Sequence, residues 1–346
     1  MTSDFMECRH WQSLADGMVQ CRICPHQCRL RDGGRGICFV RRNVGGRLLL
    51  TSGTRFSSVA LDPVEKKPLY HFLPGTVTLS LGGIGCNLSC RFCQNAAIAK
   101  PEDDRHLRDS LSVGDVVRLA RANGAPSVSF TYNEPIVAFE HVVDFAQGCR
   151  AAGLKTVAVT NGYIAGEARQ EFFDVMDAAN VDLKAFTDDF YRRLCGARLS
   201  PVLDTLRHIR ARGRTWLEVT TLLIPGENDS IGEIEEMTRW AVAELGPDTP
   251  WHFSAYYPAF RLTDRPPTPP ETLNRAREIA LRNGLRFVYV GNVPDGAGHS
   301  TVCPSCGTLL LERGRMSLRK NRLRGDGTCP RCGTTCPGVF PVSGVA

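Results

Sequence analysis

Three cysteines on one short loop are the residues best placed to do chemistry. Residues 82–95 read GGIGCNLSCRFCQN, a C-x3-C-x2-C run made by Cys86, Cys90 and Cys93. Three thiolates on a tight loop can bind three irons of a cubane iron–sulfur cluster. The fourth iron then has no protein ligand and stays open to chemistry. A tetrahedral zinc ion would need a fourth ligand close by. The flanking histidines, His71 and His106, both lie off the loop.

Two further cysteine groups stand at the ends of the chain. Cys21, Cys24, Cys28 and Cys38 form C-x2-C-x3-C-x9-C, with His26 among them. Four thiolates on so short a span suit a structural zinc or a second, auxiliary Fe–S cluster, and the ligand set does not separate the two. Cys303 and Cys306, then Cys329 and Cys332, each sit in a CPxCG knuckle. Paired knuckles of this kind predict a zinc ribbon. Residues 307–328 between them leave room for a hairpin carrying Arg313, Arg315, Arg319, Lys320, Arg322 and Arg324. That charge admits contact with RNA or an acidic protein, although a solvated face is the plainer reading. Cys8, Cys149, Cys195 and Cys336 fall outside these groups.

Fifteen cysteines would suggest disulfides in an exported protein, but residues 1–10 carry Asp4 and Glu7 and lack an apolar signal segment. The expectation is therefore a cytoplasmic protein whose thiols stay reduced and serve as metal ligands. No apolar run reaches bilayer length, so no membrane association is expected. The net charge of +6 is mildly basic and selects no partner.

Chemistry of this kind needs a scaffold. Between about residues 76 and 293 strand-like and helix-like segments alternate. Strands are expected at 76–82, 127–132, 155–160, 181–186, 216–224, 251–256 and 286–291, and helices at 136–149, 167–178, 231–245 and 271–283. Asp229 or Ser230 would cap the third of these helices. Such alternation argues for parallel βαβ units, in a barrel or an open sheet.

The chain resembles the radical S-adenosylmethionine (SAM) superfamily. Phe92 completes C-x3-C-x-aromatic-C after a first strand. Thr131-Tyr132-Asn133-Glu134-Pro135 resembles the GGEP-type motif, with Tyr132 and Asn133 where the family has glycines. Thr160-Asn161-Gly162 and Asp182-Leu183-Lys184 are similar to the TNG and DLK elements of glycyl-radical activating enzymes, and Leu223-Ile224-Pro225-Gly226 to their adenine-side segment. His252 and Asn292 fall where these barrels carry site residues. The resemblance implies an α/β fold, a partial parallel (β/α) barrel of radical SAM type with its site at the C-terminal strand ends. It implies a 4Fe–4S cluster on Cys86, Cys90 and Cys93, with SAM held by Phe92, Asn133, Glu134, Asn161, Asp182, Lys184, His252 and Asn292. It further implies an electron donor such as flavodoxin or ferredoxin, and a 5′-deoxyadenosyl radical that abstracts hydrogen from an unidentified substrate.

The CxxCPHxC run, residues 62–71 (DPVEKKPLYH), the FCQN ending and the CPxCG pairs together are similar to the radical SAM component of the AmmeMemoRadiSam system, a relative of pyruvate formate-lyase activating enzymes. That implies association with Memo-like and AMMECR-like proteins. The expected division is a cysteine-rich module and linker at 1–74, a core barrel at 75–295, and a zinc-ribbon module at 296–346. Two other readings compete: a glycyl-radical enzyme activase, and a non-enzymatic zinc-binding adaptor for nucleic acid or protein.

Overall fold

The computed structural model describes residues 5–103, 105–108, 110–294, 297–314 and 316–340. Its centre is a mixed eight-stranded sheet: β1 (Ser58–Pro63), β2 (Val77–Gly82), β3 (Ser127–Phe130), β4 (Lys155–Thr160), β5 (Ala178–Asp182), β6 (Trp216–Leu223), β7 (Trp251–Ala255) and β8 (Val288–Gly291). The strands lie in sequence order across the sheet. From β2 to β8 every pairing is parallel, and β1 joins β2 antiparallel at one edge.

Six helices cross between the parallel strands: α1 (Val113–Ala122), α2 (Phe139–Ala151), α3 (Gly166–Asp174), α4 (Ser200–Arg212), α5 (Ile231–Leu245) and α6 (Pro270–Arg282). Their starts are written locally. Ser112 and Asp115 form a reciprocal capping box on α1, Ser230 caps α5, and Pro270 opens α6 with a preset φ. With helices covering the sheet, the parallel strands read as apolar runs. All four residues of β3 are buried, and the core holds Val157, Val219, Trp251 and Phe253.

The sheet and helices follow the expected alternation, with informative differences. The helix expected at 136–149 begins as a 3-10 turn, Pro135–Ala138, before α2. The helix expected at 167–178 stops at Asp174, because Ala178 and Ala179 are strand residues packed in the core. The strand expected at 181–186 is correspondingly shifted back. Strand β1, which lies within the expected N-terminal linker, was not anticipated, nor were α1 and α4.

Small sheets flank this core. Residues Trp11–Ser13, Val19–Cys21 and Arg29–Leu30 form one antiparallel sheet, and Met6–Glu7, Arg41–Val44 and Arg47–Leu50 another. Thr301–Val302, Leu309–Arg313 and Leu318–Asn321 form the C-terminal sheet. The basic hairpin there is only in part an open cationic face: Arg319, Lys320 and Arg324 are exposed, but Arg313 and Arg322 are engaged within the fold. Arg313 is buried, donating to Thr301 and to the Tyr70 carbonyl, with its guanidinium over the Tyr70 ring. Arg322 pairs with Glu312 at 2.6 Å, and Arg324 donates to the Pro330 carbonyl. Arg315 lies outside the described residues. Among the described residues no helix is long and apolar enough to cross a membrane.

Candidate active site at the C-terminal strand ends

The loop after β2 is held from both sides. Ser89 and Arg91 donate their backbone amides to the carbonyls of Cys195 and Leu194 at 2.8 and 2.9 Å, so the turn Tyr191–Cys195 forms its backing. Asn133 braces the other side: its Oδ1 accepts from the Gly83 amide at 2.8 Å and its Nδ2 donates to the Gly85 carbonyl at 3.0 Å. Lys100 donates to the Cys86 carbonyl at 2.8 Å. The ring of Phe92 is buried against Phe190.

This arrangement turns Cys86, Cys90 and Cys93 into one cavity of ≈ 550 Å³, a size that suits a small-molecule ligand. Phe92, Asn133, Glu134, Asn161, Asp182, Lys184 and Asn292 line the same cavity, although they come from five different strand ends. Such convergence at the C-terminal face of parallel strands is where α/β barrels place their chemistry. Another cavity, of ≈ 470 Å³, opens at the other end of the strands around Lys155, Asp177 and Trp216.

Glu134 is the most tightly held side chain of the set. It is buried; Oε1 accepts from Thr160 Oγ1 at 2.6 Å and from the Ile136 amide at 3.1 Å, and Oε2 accepts from the Asn161 amide at 2.7 Å. Burial pushes its carboxyl up to about 7, and the three donors only partly offset that push. Lys184 pairs with Asp182 at 3.1 Å. Burial opposes its charge, but Asp182 and the thiols of Cys90 and Cys195 win, and the ammonium is held well above the usual lysine range. Asn161 Nδ2 reaches Cys86 Sγ at 3.7 Å and Asn87 Oδ1 at 2.9 Å.

His252 requires a correction. It does not line the cavity; its Nε2 meets Glu218 Oε2 at 2.7 Å, with the ring packed edge-on against Tyr70. On β7 its side chain faces the buried Glu218 of β6, and the pair is committed to that contact. Its even-numbered neighbour Ser254, nearer the strand end, is the β7 residue that reaches the cavity.

Sequence reasoning missed several lining groups. Thr220 on β6 lines the cavity with its Oγ1 buried and unpartnered. Lys66 and Lys67 also line it, both paired with Asp62. Tyr132 bonds Asp62 too and adopts a left-handed φ of 71°, a conformation that glycine takes without strain, which explains a glycine at that place in related motifs. The motif itself was the available signal for Tyr132; Thr220 gave none. Cys195, unassigned by spacing, stands beside Cys90.

A 4Fe–4S cluster and SAM fit these residues. Soft thiolates suit iron–sulfur, and the three thiols do not crowd as a mononuclear site would. Among the described residues only Cys303, Cys306, Cys329 and Cys332 bring three or more ligand atoms within 4.8 Å of one another. The buried, orphaned Thr220 hydroxyl and the fixed Glu134 carboxylate provide for a polar, cationic ligand beside the thiols.

The C-terminal four make a compact cluster, with Sγ–Sγ distances of 3.5 Å for Cys303–Cys332 and 3.6 Å for Cys306–Cys329. The two knuckles repeat one turn: Gly307 donates to the Cys303 carbonyl, and Gly333 to that of Cys329. The hydroxyl and amide of Thr334 bring the Cys332 thiol down to about 6.

The chain belongs to the radical SAM superfamily, whose sequence model matches residues 81–241. An uncharacterised protein of Methanocaldococcus jannaschii is 42% identical over 308 residues, which span 89% of this chain and 91% of that protein. The pyruvate formate-lyase 1-activating enzyme of Escherichia coli (strain K12) is 23% identical, over 59% of this chain and 89% of that enzyme. Among solved structures, Streptococcus suis SuiB aligns at a TM-score of 0.49 and 16% identity, over 66% of this chain and 52% of that one. The protein is thus a radical SAM enzyme, and the adaptor reading falls with that membership.

Proposed function

We propose that Cys86, Cys90 and Cys93 hold a 4Fe–4S cluster and that the adjoining wall holds SAM, for hydrogen abstraction from a substrate admitted at the cavity mouth. The observation that carries this reading is the convergence of the three thiols and Glu134 on one cavity at the strand ends. Bound there, cluster and SAM supply reductive cleavage of the sulfonium and a 5′-deoxyadenosyl radical. The chain's own residues bind and orient. Glu134, fixed by three donors, accepts the amino group of SAM. Thr220 and Asn161 offer hydrogen-bonding groups, and the Asp182–Lys184 pair presents charge of both signs. Asn133 acts as a positioning residue, because its side-chain amide is spent on the Gly83–Gly85 backbone.

Reduced, reconstituted protein should give a 4Fe–4S electron paramagnetic resonance (EPR) signal that SAM alters. The Cys86→Ala/Cys90→Ala/Cys93→Ala variant should show no SAM-sensitive signal. A signal from wild-type protein that SAM leaves unchanged would contradict the reading.

The similarity to a pyruvate formate-lyase activating enzyme supports a second reading, activation of a glycyl-radical partner. The two cysteine-rich end modules weigh against a plain activase, and a glycyl doublet on a co-purifying partner would decide for it. We assign zinc to Cys303, Cys306, Cys329 and Cys332, whose spacing suits a tetrahedral ion. A flavodoxin- or ferredoxin-type donor, a reducing cytoplasmic setting, and association with Memo-like and AMMECR-like proteins complete the proposal.

A further inference from the structure

The N-terminal cysteines are arranged for a different group from the C-terminal four. Around a tetrahedral zinc, thiolate sulfurs sit about 3.8 Å apart, because each Zn–S bond is only about 2.3 Å. The C-terminal sulfurs have that spacing. On a 4Fe–4S cube the iron core separates them, to about 6.5 Å. Cys21, Cys24, Cys28 and Cys38 line one cavity, are unbridged, and are absent from the groups whose ligand atoms fall within 4.8 Å of one another. No three of these sulfurs crowd together as they would around one zinc ion, and a shared void between four thiols suits a cube.

The surroundings agree. The cavity wall between the thiols is apolar, with Ile23, Ile37, Ile136 and Val137. Backbone amides of Ile23, His26, Val40 and Arg41 lie close enough to the cysteine sulfurs to favour their anionic form. The buried Arg41 guanidinium stands at the same cavity, held by Glu140 at 2.7 Å. Apolar burial, N–H···S bonds and a nearby cation are the means by which proteins hold anionic iron–sulfur clusters.

We propose that Cys21, Cys24, Cys28 and Cys38 bind an auxiliary 4Fe–4S cluster next to the SAM site. Asn87 joins the two. It lines the N-terminal cavity, follows Cys86 directly, accepts from Asn161 through its side chain, and accepts from His26 through its carbonyl at 2.8 Å. With all four irons ligated by cysteine, this cluster exchanges electrons without binding SAM. One electron from a reduced ferredoxin- or flavodoxin-type protein would pass through it to the cluster proposed at Cys86, Cys90 and Cys93; the donor is oxidised and that cluster reduced by one electron each, and no bond is made or broken.

The test is metal and sulfide counting on full-length protein reconstituted anaerobically with iron, sulfide and zinc all present. Wild-type protein should hold about eight irons and eight sulfides, with one zinc. Cys24→Ala/Cys28→Ala should lower iron to about four and keep a SAM-sensitive EPR signal, whereas the Cys86→Ala/Cys90→Ala/Cys93→Ala variant should keep about four irons and lose that signal. The two variants separate failure of this assignment from failure of the SAM-site reading. Wild-type protein with about four irons, with or without a second zinc, would overturn the auxiliary cluster even if neither variant folds.

Discussion

Glu134 enters the cavity with both carboxylate oxygens already engaged, and burial still raises its carboxyl to about 7. The raised value gives two effects of opposite sign. Ionisation opposes folding, because the folded value lies above the ordinary carboxyl range; this penalty is absent at low pH and grows until pH passes about 7. Ionisation favours a cationic ligand. SAM affinity is therefore expected to fall as pH drops below about 7, and Glu134→Gln should weaken SAM binding about 10- to 100-fold at pH 8, the worth of a hydrogen bond to a charged group, while leaving the melting temperature unchanged or higher. Equilibrium binding across pH, beside thermal melts, checks both halves. Equal loss of binding and of stability would mean that Glu134 merely braces β4.

Among the elements, the Cys86 loop and the N-terminal sheets meet at Gly85. Its φ is +89°, and a Cβ there would stand 2.4 Å from the Cys38 carbonyl oxygen. Gly85→Ala is expected to lower stability by about 1–3 kcal/mol from backbone strain alone. It should also reduce iron loading, because the clash falls between the two cysteine sets; thermal melts and iron assays read the two effects. Arg41 and Glu140 tie the same sheets to α2 as a buried pair, at 2% and 1% side-chain exposure. Glu140→Leu strands the guanidinium and should cost about 3–5 kcal/mol in a denaturant titration, whereas losing both charges in a double Arg41→Met/Glu140→Leu variant should cost much less. At this scale the sequence was legible where periodicity and motifs coincide: β4 and α5 occur over the residues expected. It was not legible where tertiary packing overrides propensity. Alanines 178 and 179 suggest helix but pack as strand, and β1 reads as linker because only its pairing with β2 makes it a strand. Arg313 looked like surface charge, and its partners, Tyr70 and Thr301, are far away or unmarked in the sequence.

For the whole molecule, the site was more legible than the fold around it. Chemistry constrains residue type as well as spacing, so Cys86, Glu134, Asn161, Asp182 and Lys184 were found as a set and line one cavity. His252 was not distinguishable from them until its contact with Glu218 was seen. Stability against acid depends in part on groups elsewhere, among them buried imidazoles. Burial brings both His71 and His141 down to about 4, the first against Phe287 and Tyr289 and the second against Phe56 and Phe145. The unfolded chain takes up these protons from about pH 6.5 downward and the folded chain does not, so stability is full above that pH and lost toward pH 4, by a few kcal/mol in all. His141→Phe should flatten part of that loss in melts run from pH 7 to pH 4.5. The most direct test of the whole account is formation of 5′-deoxyadenosine from SAM by reduced, cluster-loaded protein, measured by chromatography. The account predicts its formation by wild-type protein and none from the Cys86→Ala/Cys90→Ala/Cys93→Ala variant; product from that variant at the wild-type level, or none from wild-type protein carrying a full complement of iron and sulfide, would contradict it.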